Sequence, residues 1–300
     1  MPDVAKRIKE LKEERKAVIL AHNYQLGEVQ DIADFVGDSL ELAQQAAATD
    51  AYVIVFCGVH FMAETAAILS PQKKVLLPDE HSGCPMADMI NAEELRKMKK
   101  QYPGAAVVCY VNSSAEVKAE SDICCTSASA VKVVESLDTE EIIFVPDKYL
   151  GAYVESQTGR KMHLWPGYCP THARIRVEDI VELNEWHPET RVVVHPESRP
   201  EVIALADAVL STGDMMRYAA RPDVKEMIVG TEMGIIYRLR KENPGKKFYA
   251  VSEQAICPNM KLITMEKVLW SLEDMKPLVT VPEAIRVKAK KAVDRMLEVV

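Results

Sequence analysis

This chain carries nearly the same segment three times. The run Ala17-Val18-Ile19-Leu20-Ala21-His22-Asn23-Tyr24 aligns with Ala105-Ala106-Val107-Val108-Cys109-Tyr110-Val111-Asn112, and again with Thr190-Arg191-Val192-Val193-Val194-His195-Pro196-Glu197. The registers hold far downstream. Ser39 falls on Ser127 and Thr212, Val53-Ile54-Val55-Phe56 on Glu141-Ile142-Ile143-Phe144 and Glu226-Met227-Ile228-Val229, and Pro78 on Pro166 and Val251. Each copy then reaches a cysteine: Cys84 and Cys257 are equivalent, while the middle copy has His172 at that place and Cys169 just before it. A period of roughly 86 residues makes units near the lower end of domain size, so the faces between them belong to the core. Three such units imply a pseudo-threefold assembly whose axis passes through a site that no single unit could build.

Within each copy the hydrophobic pattern predicts an opening helix at Val4–Glu14, Glu93–Gln101 and Glu178–Trp186, with Asn91 and Glu94 spaced as a capping box for the second. A short apolar strand follows, then a helix starting near Ser39, Ser127 or Thr212, a second strand, another helix, and a third strand at Val75–Leu77, His163–Trp165 and Phe248–Val251. Short strands alternating with helices require crossover connections, hence small parallel sheets covered on both faces. The fold class is therefore α/β: three similar three-layer αβα units with small parallel sheets around a pseudo-threefold axis. The boundaries expected are 1–88, 89–174 and 175–300, the last including the C-terminal helices Thr264–Asp274 and Pro282–Leu297.

A formal net charge of −8 and the lack of a basic stripe argue against nucleic-acid binding. The N-terminal stretch is charged and amphipathic, which excludes a signal peptide or membrane span there and makes the cytoplasm the expected location. Seven cysteines outside a small secreted scaffold read as metal-binding or structural thiols before disulfides.

Ligands of open parallel sheets bind beyond the carboxyl ends of the strands. That is where polar residues gather here: His22, Asn23 and Tyr24; Tyr110 and Asn112; His195, Glu197 and Ser198. Equivalent backbone places carry different side chains, as one asymmetric ligand on the axis would require. Ser39, Ser127 and Thr212 each precede a helical run and read as N-caps, and converging helix ends would attract a carboxylate or phosphate. Cys57 and Cys109 sit within strands and read as structural; the adjacent Cys124 and Cys125 cannot readily share one metal. Cys84, Cys169 and Cys257 each follow a third strand and precede a proline, which stiffens the loop. Three such thiolates suit a zinc site completed by a fourth ligand such as His172, or a [4Fe–4S] cluster with one iron free of protein ligands. Spacing does not separate the two. The open iron has the clearer catalytic logic, as a Lewis acid that assists loss of water while His22, Tyr24, Tyr110, His195 and Glu197 move protons and Asn112 orients.

These residues carry a family resemblance. Ala21-His22-Asn23-Tyr24-Gln25, Gly37-Asp38-Ser39-Leu40, the stretch from Cys57 to Ala66, Tyr110-Val111-Asn112-Ser113, Cys124-Cys125-Thr126-Ser127, His195-Pro196-Glu197, Gly230-Thr231-Glu232 and Cys257-Pro258-Asn259-Met260-Lys261 resemble the quinolinate synthase (NadA) family over nearly the whole chain. The resemblance implies three αβα domains that each give one cysteine to a [4Fe–4S] cluster, here Cys84, Cys169 and Cys257. It implies condensation of iminoaspartate (iminosuccinate) with dihydroxyacetone phosphate to quinolinate, with loss of phosphate and water, in de novo NAD biosynthesis. His22, Ser39, Tyr110, Asn112, Ser127, His195, Glu197 and Thr212 would line the substrate pocket, and Tyr24 would close on the intermediate. Small-molecule substrates and a transient contact with an L-aspartate-oxidising enzyme are the expected partners, with no nucleic acid and no membrane.

Two features depart from the family pattern. No cysteine follows Cys257, so a redox switch known from some members has no support here, and Asp214 adds negative charge near an expected anion site. Three other readings accommodate parts of the pattern: a diphthamide-synthase-like enzyme that cleaves S-adenosylmethionine, a non-catalytic iron–sulfur sensor or carrier, and a zinc protein with three cysteines and a histidine.

Overall fold

The structure is a computed structural model that describes residues 2–299. Its strands fall into three groups. β1 (Ala17–His22), β2 (Phe35–Gly37), β3 (Val53–Cys57) and β4 (Lys74–Leu76) form the first sheet; β5 (Ala106–Tyr110), β6 (Ile123–Cys125), β7 (Ile142–Val145) and β8 (His163–Leu164) the second. β9 (Arg191–Val194), β10 (Ala208–Val209), β11 (Glu226–Gly230) and β12 (Lys247–Ala250) form the third. The spatial orders are β2-β1-β3-β4, β6-β5-β7-β8 and β10-β9-β11-β12, so the topology repeats with the sequence. All pairs within these orders are parallel. The central strands Val53–Cys57 and Ile142–Val145 are buried along their whole length, as strands covered on both faces must be.

Two local devices recur in all three units. Asp34, Asp122 and Asp207, which are equivalent in the repeat, each stand just before a second strand. Their carboxylates accept the amides of Ile19, Val107 and Val192 at 2.7, 2.8 and 2.7 Å. The backbone of each aspartate returns a hydrogen bond to the same residue's carbonyl, which locks the register of the first two strands. Behind them, a cation closes the C-terminus of the helix that follows: Lys73 donates to the carbonyls of Ala46 and Thr49, Arg160 to those of Val134 and Leu137, and Lys246 to those of Ala219 and Arg221. The last carbonyls of a helix lack intrahelical partners and carry the negative end of its dipole, so a cation there satisfies both.

The opening helices run Pro2–Arg15, Ala92–Gln101 and Val177–Trp186, and the capping box between Asn91 and Glu94 is present. The helix starts near the cavity differ from the sequence expectation. Asp38, not Ser39, caps the helix Ser39–Ala48, by accepting the amides of Leu40 and Glu41. Ser211, not Thr212, caps Thr212–Ala220, by accepting the amide of Asp214. In the second unit the helix is Ala130–Glu135, so Ser127 lies in the turn before it. A side chain reaches amides two and three residues ahead only from the cap position, which is one residue earlier than the alignment of hydroxyls suggested.

Chain closure is not threefold. The helix Met265–Asp274 packs on the first helix and on β3, and β13 (Leu278–Val279) pairs antiparallel with β4 at the edge of the first sheet. The last helix, Glu283–Val299, lies against the helices Ala115–Ala119 and His60–Leu69 and against β6. The C-terminus thus joins the first unit to the second, and its buried Val293 and Met296 belong to the same core as Ile19, Val55 and Val107. Among the described residues, no helix is long and apolar enough to cross a membrane.

Candidate active site

The carboxyl ends of the three sheets converge on one narrow cavity of about 70 Å³. His22, Tyr24, Ser39, Cys84, Tyr110, Asn112, Ser127, Cys169, His195, Glu197, Thr212 and Cys257 all line it, so the structure brings together the residues expected to bind substrate, move protons or hold metal, while the strand-end Asn23 and Ser198 stand outside its wall. Each unit contributes. β1 delivers His22 and Tyr24, β5 delivers Tyr110 and Asn112, and β9 delivers His195 and Glu197.

Glu197 is the electrostatic centre. Its Oε1 accepts the Tyr110 hydroxyl at 2.6 Å and the Asn112 amide at 3.3 Å, and its Oε2 stands 2.7 Å from His172 Nδ1. Burial alone would raise this carboxyl, but His172, His195 and the Tyr110 hydroxyl outweigh it and hold the group at about 2. It is therefore an ionised acceptor. Burial, reinforced by the Glu197 charge, pushes both Tyr24 and Tyr110 above the ordinary phenol range, so both hydroxyls remain donors.

His22 and His195 share one arrangement two units apart. The Tyr24 amide donates to His22 Nδ1 at 3.2 Å and the Glu197 amide to His195 Nδ1 at 3.3 Å. Nδ1 is thus an acceptor in both rings, which places the proton of the neutral imidazole on Nε2. Burial lowers each to about 3 against the attraction of Glu197, so both rings are neutral donors near neutrality. The unfolded chain, with histidines near 6.5, takes up protons that the native state refuses, so stability falls as pH drops from about 6.5 toward 3. Thermal unfolding at about pH 5 should therefore come well below that at about pH 7.5, and His195→Gln should narrow the gap. A variant with the wild-type pH dependence would show that His195 does not contribute.

The hydroxyls are free for other tasks because the caps lie elsewhere. Thr212 Oγ1 accepts from the Asn23 side chain at 3.0 Å, leaving its proton to donate. Asp38 and Ser211 already occupy the helix-end amides, so the anion reading passes from the helix ends to the hydroxyls. Asp214 turns outward to Ser211 and Arg217 and is not part of the cavity wall.

The three thiols are free, and each sits ahead of a short turn: Ala87–Met89, His172–Arg174 and Met260–Leu262. Burial raises Cys84 to about 12 and moves Cys169 and Cys257 in the same direction. The backbone amides that follow each cysteine partly oppose that rise: those of Ala87 and Met86 for Cys84, of His172 for Cys169, and of Met260 and Asn259 for Cys257. Among the described residues, the only three ligating groups within 4.8 Å of one another are Cys169, His172 and Glu197. A metal cofactor is consistent with this set.

A family model described as Quinolinate synthetase A protein matches residues 6–298. The chain belongs to that family. The quinolinate synthase of Dehalococcoides mccartyi (strain CBDB1) is 69% identical over 297 residues, covering 99% of this chain and 98% of that protein. Quinolinate synthase 1 of Methanosarcina acetivorans is 58% identical, and the quinolinate synthase of Geotalea uraniireducens 55%, each over 297 residues with the same coverage of 99% and 98%. Membership in the quinolinate synthetase A family makes this chain an enzyme.

Four polar residues of this family member were given no part in the chemistry on sequence grounds. His172 entered only as a zinc ligand. In the structure its Nε2 meets Thr231 Oγ1 at 2.8 Å and its ring stacks on His195 with centroids 4.6 Å apart. Thr231 also bonds the Tyr24 hydroxyl, which makes a chain from Tyr24 through Thr231 and His172 to Glu197. Glu232 lines the cavity and pairs with Lys261. The motifs Gly230-Thr231-Glu232 and Cys257 to Lys261 contained three of them, but only the fold shows what they touch.

Proposed function

We propose that this enzyme condenses iminoaspartate with dihydroxyacetone phosphate to quinolinate, losing phosphate and water, in de novo NAD biosynthesis, and that Cys84, Cys169 and Cys257 hold a [4Fe–4S] cluster. The observation that carries this reading is the convergence of one thiol and one set of strand-end polar groups from each of three units on a single cavity. The units 1–88, 89–174 and 175–300 are its domains under this reading, with the C-terminal helices returning to the first two.

The donor set fits the cluster better than a lone zinc ion. Zinc–sulfur bonds of about 2.3 Å hold tetrahedral thiolates within about 4 Å of one another. These three thiols do not form a group even within 4.8 Å, a spread that suits separate irons of one cluster rather than a single ion. When bound, a cluster with one iron free of protein ligands supplies a Lewis acid for loss of water.

The chain's own residues then divide the remaining work. Glu197, ionised and oriented by Tyr110 and Asn112, takes a proton from the sugar-derived carbons. His22 and His195 donate through Nε2 to oxygens on which negative charge develops, and being neutral they do so without a change of protonation. Ser39, Ser127 and Thr212 donate to carboxylate and phosphate oxygens. Tyr24 closes on the intermediate, its hydroxyl held by Thr231.

A second reading has one observation behind it: the close grouping of Cys169, His172 and Glu197 suits a single divalent ion, but it leaves Cys84 and Cys257 without a task. Protein reconstituted anaerobically with iron and sulfide and supplied with both substrates should form quinolinate, and the same protein without iron should not. Iron and sulfide near four of each per chain support the cluster. One zinc per chain and no cluster-dependent product would move the assignment to the single-ion site.

A further inference from the structure

The proposed reaction leaves one charged pair without a task, although both members lie in the motifs that carry the family resemblance. Glu232 is fully buried. Its Oε1 accepts the amide of Cys257 at 3.1 Å, its Oε2 the amide of Gly234 at 2.7 Å, and Lys261 Nζ stands 2.9 Å from Oε1. The same ammonium donates to the backbone carbonyl of Tyr24. One ion pair thus ties the loop of the third cysteine to the loop that carries Tyr24, and these loops come from different units. The junction is tight: a Cβ at Gly234 would stand 2.5 Å from Lys261 Nζ and 2.7 Å from the Tyr24 carbonyl oxygen.

Comparison among the three repeats narrows what the pair is for. Glu232 is equivalent to Asp147 in the second unit and Val59 in the first. Asp147 is also fully buried, but its Oδ1 accepts the amides of Tyr149 and Leu150 at 2.7 and 2.9 Å at the start of its own helix, and burial with the nearby Glu197 charge pushes its carboxyl well above the ordinary range. The second unit thus uses its acid as a helix cap with no lysine beside it, and the first unit has valine, so a carboxylate paired with an ammonium beside the cysteine loop is found in the third unit alone among the three equivalents. What the third unit adds is Lys261, and the additional contact Lys261 makes is with Tyr24. Stability alone is a poor reason for it, since desolvating two charges offsets most of their attraction.

We propose that Glu232 and Lys261 are positioning residues that hold the Cys257 thiol and the Tyr24 hydroxyl in fixed relation across the interface between the first and third units. The role of Tyr24 in this statement rests on the reaction proposed above. The pair acts through backbone atoms, so removing the ammonium should loosen both loops while leaving the other two cysteine loops as they were.

The test uses the full chain carrying Lys261→Met or Lys261→Arg. In metal-free protein, iodoacetamide alkylation followed peptide by peptide should speed up about tenfold at Cys257 in Lys261→Met, with Cys84 and Cys169 within about twofold of wild type. In reconstituted enzyme, kcat should fall about tenfold with iron content retained and KM little changed, and Tyr24→Phe should cost much less in the Lys261→Met background than in wild type. Lys261→Arg should recover most of both effects. Unchanged alkylation at Cys257, or an equal rise at all three cysteines, overturns the proposal. A wild-type protein that forms no quinolinate overturns the assigned reaction instead, and the alkylation pattern decides the Cys257 half independently of it.

Discussion

Replacing Cys84, Cys169 or Cys257 by serine, one at a time, is expected to strip iron from the reconstituted protein and to lower quinolinate formation by about a thousandfold or more. The magnitude follows from what is removed. A Lewis acid contributes several kcal/mol of charge stabilisation where water leaves, and no protein cation replaces it: Lys261, the one cation on the third cysteine's loop, is spent on Glu232 and the Tyr24 carbonyl. The three positions should behave alike because each unit offers a single thiol to the cavity, with no neighbouring cysteine to substitute. Cys57, buried in β3, is the control, and Cys57→Ala should keep both iron and rate. Iron by atomic absorption, beside product by chromatography, reads the result. A serine variant that retained wild-type iron and wild-type rate would remove that cysteine from the site.

Glu197→Gln should lower kcat by about 10²- to 10⁴-fold while iron content stays at the wild-type level. The substitution is isosteric, and the amide oxygen can still accept from Tyr110 and Asn112, so the fold of the site is preserved. What disappears is the carboxylate that His172 and its other neighbours hold ionised. An amide cannot take a proton at neutral pH, so a step that needs a base at that point stops. Tyr110→Phe, which removes one of the donors to the same oxygen, should cost less because the base survives. Single-turnover measurement with both substrates separates this from a binding defect, and an overall rate unchanged in Glu197→Gln would end the assignment.

Much of the architecture was legible because it is written three times. A period shared by strands, helix starts and cysteines requires equivalent backbone paths. The observed orders β2-β1-β3-β4, β6-β5-β7-β8 and β10-β9-β11-β12 are those paths. Divergence at equivalent strand ends, His22 against Tyr110 against His195, pointed to the cavity without any knowledge of contacts. The aspartates Asp34, Asp122 and Asp207 carry the same kind of signal, since all three are in register with the repeat, but their residue type alone does not reveal what they hold. An acidic residue between strands reads as a solvated loop until its hydrogen bond to a strand amide is seen.

Other features lay beyond any reading of the chain. Which residue caps a helix depends on backbone angles at that residue, so Asp38 and Ser211 displaced the hydroxyls that alignment had favoured. The return of the C-terminal segment to the first sheet breaks the threefold pattern and has no counterpart in the other copies to announce it.

The sequence by itself determined the repeated αβα units, the strand ends that bear chemistry and the three cysteines, because these follow from periodicity and from residue type, which are local. Only the tertiary structure decided that Glu197 is held by Tyr110, Asn112 and His172, that His22 and His195 are neutral donors, and that Lys261 reaches Tyr24. Those properties depend on burial and on distances between residues far apart in the chain, and such distances exist only once the three units have closed around their common axis.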